Sequence, residues 1–239
     1  MRFAASSGSA CILACVACGQ GQVAYTDMVP LAQLFNEYVG FAVRPDSTIS
    51  SGADVIERLR KDPGSLSIAL STAVGGSNHL ATAVALKAAG VDVRRLRIVV
   101  VKGASDAITG AMGGHYDIAA VSTSSLIPFL ASGKLRGIAV SGPRRVSGAF
   151  AKVPTWKELG ANGVYANWRG VVGPKGMTAA QISYWDGVLS KLTQLPEWRE
   201  SLAKSLQDPD YMNSRDTQRF LAQQHEELRA VLMDLGLAK

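Results

Sequence analysis

The chain has 239 residues, 47% of them hydrophobic and 18% charged, with 24 glycines and few aromatics. That balance suits one large or two modest packed α/β domains and excludes a disordered chain. The net charge of +6 comes from 25 Lys and Arg spread along the sequence. No basic run exceeds Arg94-Arg95 or Arg144-Arg145, so no nucleic-acid partner is expected.

All three cysteines, Cys11, Cys15 and Cys18, fall in one short apolar run. Their C-x3-C-x2-C spacing is that of the radical-SAM iron–sulfur motif, but no barrel strand leads into it. The competing reading makes residues 1–21 an atypical, signal-like N-terminal segment. Arg2 gives a weak positive start, small residues follow, and Ile12-Leu-Ala-Cys15 approximates a lipoprotein cleavage box. No uninterrupted apolar stretch reaches about eighteen residues, so no membrane span is expected.

Residues 22–40 read as a loop and then a helix. In Pro30 to Tyr38, Leu31, Leu34 and Phe35 stand at i, i+3 and i+4. Val39 to Val43 is strand-like and is stopped by Arg44-Pro45-Asp46. Ala53 to Lys61 is a short amphipathic helix ended by the turn signal Asp62-Pro63-Gly64.

A regular alternation follows. Leu66 to Leu70 reads as a buried strand, Ser71 to Asn78 as a small-residue loop, and His79 to Ala88 as a helix with Gly90 at C′. Leu96 to Val101 is a strand, Lys102 to Ser105 a loop, and Asp106 to Met112 a helix. Tyr116 to Val121 is the next strand, followed by the loop Ser122 to Ser125 and the helix Leu126 to Ala131. Leu135 to Val140 is another strand. This order predicts a mostly parallel sheet with right-handed crossovers.

Beyond Val140 the pattern changes. Val153 to Gly160 reads as a one-turn helix, with Thr155 as N-cap and Glu158 at the capping-box position. Val164 to Val172 is strand-like. Thr178 caps a helix to about Leu192, Leu195-Pro-Glu-Trp198 starts another to Leu206, and a last helix runs from about Thr217 to Leu235.

Three hydroxyl- and glycine-rich loops thus stand at the C-terminal ends of successive strands, where open α/β sheets bind ligands. Each presents backbone N–H groups and the positive end of a helix dipole, which suits an anion. Ser and Thr before helices are also ordinary N-caps, and βα turns are common in any such fold. Lys102 is the only cation among the three loops. The chemistry indicated is hydrogen bonding of a polar anion, not bond breaking. His79, His115 and His225 form no metal-ligand spacing, and neither H-E-x-x-H nor Gly-x-Ser-x-Gly occurs. His79 reads as a surface or hydrogen-bonded residue at a helix start rather than a base, and Asp117 as holding its turn. No catalytic residue, metal or cofactor is nominated.

Several segments together carry a family resemblance. They are Pro30-Leu-Ala-Gln-Leu34, Arg44-Pro-Asp-Ser47, Asp62-Pro-Gly-Ser65, Gly75-Gly-Ser-Asn-His79, Gly113-Gly-His-Tyr-Asp117 and Gly133-Lys-Leu-Arg136. Val153-Pro-Thr-Trp-Lys-Glu158 and Asn167-Trp-Arg-Gly170, the latter followed by Gly173-Pro-Lys-Gly176, complete the series. In this order and spacing the chain resembles the extracytoplasmic receptors of tripartite tricarboxylate transporters, the Bug-type solute-binding proteins.

The resemblance implies an α/β, periplasmic-binding-protein-like (type II) fold of two lobes. Residues 22–43 and 166–239 would form the first lobe and residues 44–165 the second, with crossings near Phe41–Asp46 and Ala166–Gly170. It implies an incomplete first lobe, because the family's usual opening strand and its Pro-Phe-x-x-Gly-Gly-x-x-Asp loop have no counterpart here. It implies a non-enzymatic periplasmic receptor that delivers a small di- or tricarboxylate to membrane transporter subunits. Ligand contacts would come from Ser71, Thr72, Gly75, Gly76, Ser77, Asn78, Gly103, Ala104, Ser122 and Thr123. The alternative function is the effector domain of a transcriptional regulator. That would require a helix-turn-helix, and residues 1–40 offer one helix.

Overall fold

A computed structural model describes residues 25–238 of the chain; both readings of the cysteine segment lie outside the described residues. The elements run β1 (Met28–Glu37), β2 (Val39–Val43), α1 (Gly52–Lys61), β3 (Ser67–Leu70) and α2 (Ser77–Ala88). Next come β4 (Arg97–Val100), α3 (Ala104–Met112), β5 (Ile118–Ser122), α4 (Thr123–Ala131) and β6 (Arg136–Val140). The last are β7 (Asn167–Pro174), α5 (Ala179–Gln194), α6 (Pro196–Lys204), β8 (Asp208–Met212) and α7 (Ser214–Asp234). Two compact units result, one of Met1–Glu37 with Asn167–Lys239 and one of Tyr38–Ala166.

The unit Tyr38–Ala166 is built on a five-stranded sheet in the order β4-β3-β5-β2-β6. β3 is parallel to β4 and β5, whereas β2 is antiparallel to both β5 and β6. Four strands therefore share one direction and β2 alone opposes it. Every residue of β2 and β3 is buried, as expected of strands covered on both faces. Phe41 meets Trp156 edge to face at 5.0 Å. A Cβ at Gly40 would come within 2.9 Å of Leu126 and Phe150 side chains, so only glycine lets those side chains reach the strand. Asp117 accepts from the Ser67 N–H (2.7 Å) and hydroxyl (2.6 Å), joining β3 to β5 at the edge where the parallel strands begin.

The turn chemistry follows the sequence closely. Gly90 adopts φ +79° after α2, and the Val91 N–H reaches back to the Leu86 carbonyl at 3.0 Å, which closes the helix end. Thr178 and Gln181 form a capping box at α5. Thr155 and Glu158 make the same reciprocal pair, 3.1 and 2.8 Å. Residues 153–160 nonetheless form hydrogen-bonded turns and not the expected helix, because Thr155 also bridges to Val140 beside β6.

The other unit corrects two expectations. Pro30 to Tyr38 is not a helix; Met28–Glu37 is a strand, central in the sheet β7-β1-β8. Both of its neighbours are antiparallel, with register irregularities between Pro30/Ala32 and Gln33/Phe35. These bulges interrupt the two-residue alternation, and Leu31, Ala32, Gln33 and Leu34 are buried in succession. A doubly covered, bulged strand thus spaces its apolar residues as a helix would. β8 has no counterpart in the sequence reading, since Asp208-Pro-Asp-Tyr-Met212 shows no apolar alternation. It is held instead by polar groups: the Gln33 and Asn36 amides both donate to Asp210 Oδ2 at 2.6 Å. Leu31, Ala32, Leu34 and Leu189 form the centre of this unit's core.

Two leucines in this unit separate burial from residue type. Leu31 is 1% exposed and Leu195 is 48% exposed. Leu31→Ala is expected to cost about 2–5 kcal/mol, while Leu195→Ala stays within about 0.5 kcal/mol. Urea denaturation midpoints of the two variants check the contrast.

Candidate functional site

The direction of the crossovers locates a crevice. From β3 the chain passes through α2 to β4 on one side, whereas from β5 it passes through α4 across β2 to β6 on the other. β3 and β5 are themselves hydrogen-bonded neighbours. Right-handed crossovers departing in opposite directions place α2 on one face of the sheet and α4 on the other. Beyond the C-terminal ends of β3 and β5 the covering elements part, which is the topological switch point of an open sheet. The loop Ser71–Asn78 follows β3, and Ser122–Thr123 follow β5. Gly103 and Ala104 lie one strand further out, after β4.

The loop after β3 is closed by its own hydrogen bonds. The Gly76 N–H donates to the Ala73 carbonyl (2.8 Å), and the Asn78 N–H to Thr72 Oγ1 (3.3 Å). Asn78 Nδ2 donates to Ser71 Oγ (2.8 Å), and Thr82 Oγ1 donates to the Asn78 carbonyl (2.8 Å). Gly75 takes φ +81°, where a side chain would be strained, and its N–H donates to His79 Nδ1 at 3.0 Å. Thr72, Gly75, Gly76 and Asn78 therefore build the loop, Thr72 through its hydroxyl and the other three through their own N–H groups. Of the first-turn N–H groups of α2, the loop takes up that of Asn78.

The helix starts differ in a way that bears on anions. α1, α5 and α7 are capped by the side chains of Ser51, Thr178 and Asn213. The three helices along this crest, α2, α3 and α4, begin at Gly76, Gly103 and Ser122 with no hydrogen bond from the N-cap side chain. α2 and α4 carry no acidic residue in the first turn, whereas α3 carries Asp106. Helix dipoles and unpaired N–H groups make such starts receptive to negative charge, and a resident carboxylate lessens that. The crevice between α2 and α4 is thus the receptive part of the crest, with Gly103 and Ala104 beside it.

On the α4 side the expected loop Ser122–Ser125 is largely helix, since α4 starts at Thr123. Ser122 Oγ and Ser124 Oγ lie 2.7 Å apart. The Thr123 N–H donates to the Tyr38 carbonyl (3.0 Å), and the side chain is fully buried with no partner for its hydroxyl among the described residues. Ser141, which the sequence reading did not single out, ties the neighbouring strands. It accepts from the Val39 N–H (3.0 Å) and donates to the Tyr165 carbonyl (2.8 Å). Its only sequence signal was a hydroxyl at the end of a strand. Lys102 is exposed at the start of the β4–α3 loop.

His79 is buried, and burial holds its imidazole below the ordinary range. His115 stands exposed in the turn before β5, and His225 belongs to α7 in the other unit. Among the described residues no three His, Cys, Asp or Glu side chains gather as metal ligands.

The family model for the tripartite tricarboxylate transporter family receptor (TctC) matches residues 21–237. The chain belongs to this family. It is 32% identical over 200 residues to the Cupriavidus necator "UPF0065 protein in gbd 5'region", covering 84% of this chain and 59% of that relative. The chain therefore spans 59% of the length of the curated relative it matches. A solved Rhodopseudomonas palustris structure with adipate superposes with a TM-score of 0.76 at 22% identity, covering 89% of this chain and 70% of that one. MatC from the same organism, with bound malate, gives a TM-score of 0.68 at 16% identity, covering 95% of this chain and 76% of that one. These TctC-like neighbours share the α/β, periplasmic-binding-protein-like fold expected from the sequence.

Two N-cap glycines of the TctC crest test the loop geometry directly. A Cβ at Gly76 would lie 2.9 Å from the Ala73 carbonyl oxygen and from Thr72, whereas nothing lies within 4 Å of one at Gly103. Gly76→Ala is expected to destabilise by about 1–3 kcal/mol through overpacking. Gly103→Ala stays within about 0.5 kcal/mol. Thermal melts of the two variants give the comparison.

Proposed function

We propose that this chain is a receptor for a small di- or tricarboxylate and that the α2–α4 crevice seats one carboxylate of it. The observation that carries this reading is the pair of helix starts at the switch point, uncapped by their N-cap side chains and free of acid. The adipate and malate in the solved neighbours support the same ligand class. Residues 44–165 would be the lobe that supplies this seat. Ser71, Thr72, Gly75, Gly76, Ser77 and Asn78 would shape and line one side, and Ser122 and Thr123 the other, with Gly103 and Ala104 at the margin.

The seat works by fixed dipoles. Backbone N–H groups and hydroxyls donate to the carboxylate, and no proton is transferred or bond broken. The ligand would leave as it came, which suits delivery to the membrane subunits of a tripartite transporter outside the cytoplasm. Among the described residues no helix is long and apolar enough to cross a membrane, so a separate membrane component would complete transport.

Titration with adipate, malate, succinate, citrate, aspartate and terephthalate, followed by thermal shift and calorimetry, tests the proposal. At least one is expected to give saturable stabilisation, about 2.7 kcal/mol at a hundredfold excess over Kd. Ser77→Asp places a carboxylate in the first turn of α2 and is expected to weaken that ligand by about tenfold or more, while the dipole tolerates the acid. Absence of any saturable shift, or a Ser77→Asp protein that binds as tightly as the parent, overturns it.

A further inference from the structure

The position of His79 in α2 is unusual for its partner. With Gly76 as N-cap, His79 is the third residue of the helix, where a capping box carries Glu or Gln reaching back to the chain before it. With the Gly76 N–H taken by the Ala73 carbonyl, the imidazole here reaches one residue further back. Its Nδ1 accepts the Gly75 N–H at 3.0 Å, which puts the ring proton on Nε2. Gly75 is the residue that turns the loop through φ +81°. A glutamate in this place would set a negative charge at the start of the helix proposed to seat an anion. A neutral imidazole anchors the same loop without that charge.

We propose that His79 is a pH-sensitive latch on the loop Ser71–Asn78: neutral, it holds Gly75 and keeps the carboxylate seat formed; protonated, it releases Gly75 and the seat is lost. The inference rests on the carboxylate reading of the crevice and adds its regulation. An imidazolium has a donor at both nitrogens, so Nδ1–H would face the Gly75 N–H with no acceptor between them. One of the two must move. On the Gly75 side the neighbouring Val74 is exposed, so the loop has room to give there.

The surroundings favour the neutral form. His79 is 5% exposed and burial alone lowers its pKa. The loop 71–78 carries no titratable group, and neither do β3 or β5 beneath the helix. The segment 161–164, whose Gly163 abuts Val84 of the helix, carries none either. On the helix itself Lys87 lies at the far end, where Arg60 of α1 donates to the Ala89 carbonyl, and the turn Val93–Arg95 that packs against it brings Arg94 and Arg95. Along the crest Lys102 and Asp106 belong to the β4–α3 turn, both exposed.

The direction of the linkage follows. The unfolded chain takes up the proton near the ordinary imidazole value of about 6.5, and the folded chain only at lower pH. Stability contributed by the neutral ring is present above that value and is lost as pH falls from it toward the folded pKa. The seat itself opens when the folded ring titrates.

Two readouts on the full chain test the latch: exchange protection of the Gly75 amide against pH by NMR, and adipate affinity at about pH 7.5 and about pH 5. His79→Gln supplies an acceptor that does not titrate and corrects for protonation of adipate itself. As the His79 ring titrates, Gly75 protection is expected to fall, and parent affinity to drop about tenfold more than that of His79→Gln. Gly75 protection indifferent to His79 titration overturns the latch. So does parent affinity that rises relative to His79→Gln, which would mean that the added charge attracts the ligand. If adipate binds neither protein at neutral pH, the carboxylate reading fails for this ligand, and Gly75 exchange alone decides whether the latch exists.

Discussion

Two hydrogen-bonded strands, β3 and β5, send their crossovers in opposite directions, and the crest depends on that. Because each crossover is right-handed, the helices must take opposite faces, so neither of these two helices covers the strand ends between them. The backbone groups at those ends still have to be satisfied. The loop after β3 meets the demand by folding on itself through Thr72, Ala73 and His79. The chain at Tyr38 meets it for Thr123, and Ser141 meets it for Val39. β2 enters antiparallel, so its own first residue, Val39, lies at the crest.

Under the proposed receptor reading, the selectivity of the seat comes from what was left out. Side-chain caps are present at α1, α5 and α7, where a helix start has only itself to satisfy. Along the crest the N-cap positions are two glycines and a serine whose side chain does not cap. Acid is absent from the first turns of α2 and α4. The third residue of α2, where a capping box would carry glutamate, is a histidine whose Nδ1 accepts a backbone N–H and whose pKa burial lowers. Each omission removes a competitor for the same N–H groups, and together they account for the difference between this edge and an ordinary set of βα turns.

Much of this was legible because the relevant signals are local. Gly90, the cap Thr178, and Thr155 with Glu158 act through hydrogen bonds within a few residues, and each takes the local role that the sequence indicates, although no helix follows Thr155. Apolar runs such as Ile118 to Val121 mark strands buried on both faces. The failures were nonlocal. Pro30 to Tyr38 spaces its leucines like a helix because bulges and burial on both faces erase the alternation of β1. β8 is a strand through Asp210 and the amides of Gln33 and Asn36, partners more than 170 positions away. Likewise the three loops looked equivalent in sequence; only the strand order shows that those after β3 and β5 flank the switch point and that after β4 does not.

The charge of the whole molecule and the neutrality of the seat do different physical work. A net charge of +6 acts over roughly a Debye length, about 8 Å at physiological salt, and raises the encounter rate of anions without choosing among them. N–H groups and hydroxyls act only in contact and only along their bonds, so they distinguish a carboxylate by shape and direction. A fixed cation in the crevice would add attraction for every anion alike and slow release. Under the proposed receptor reading, keeping Lys102 outside the α2–α4 crevice leaves capture to the field of the whole chain and recognition to oriented dipoles. The same division makes the latch effective, because a seat with no charge of its own depends entirely on the geometry that Gly75 and His79 maintain.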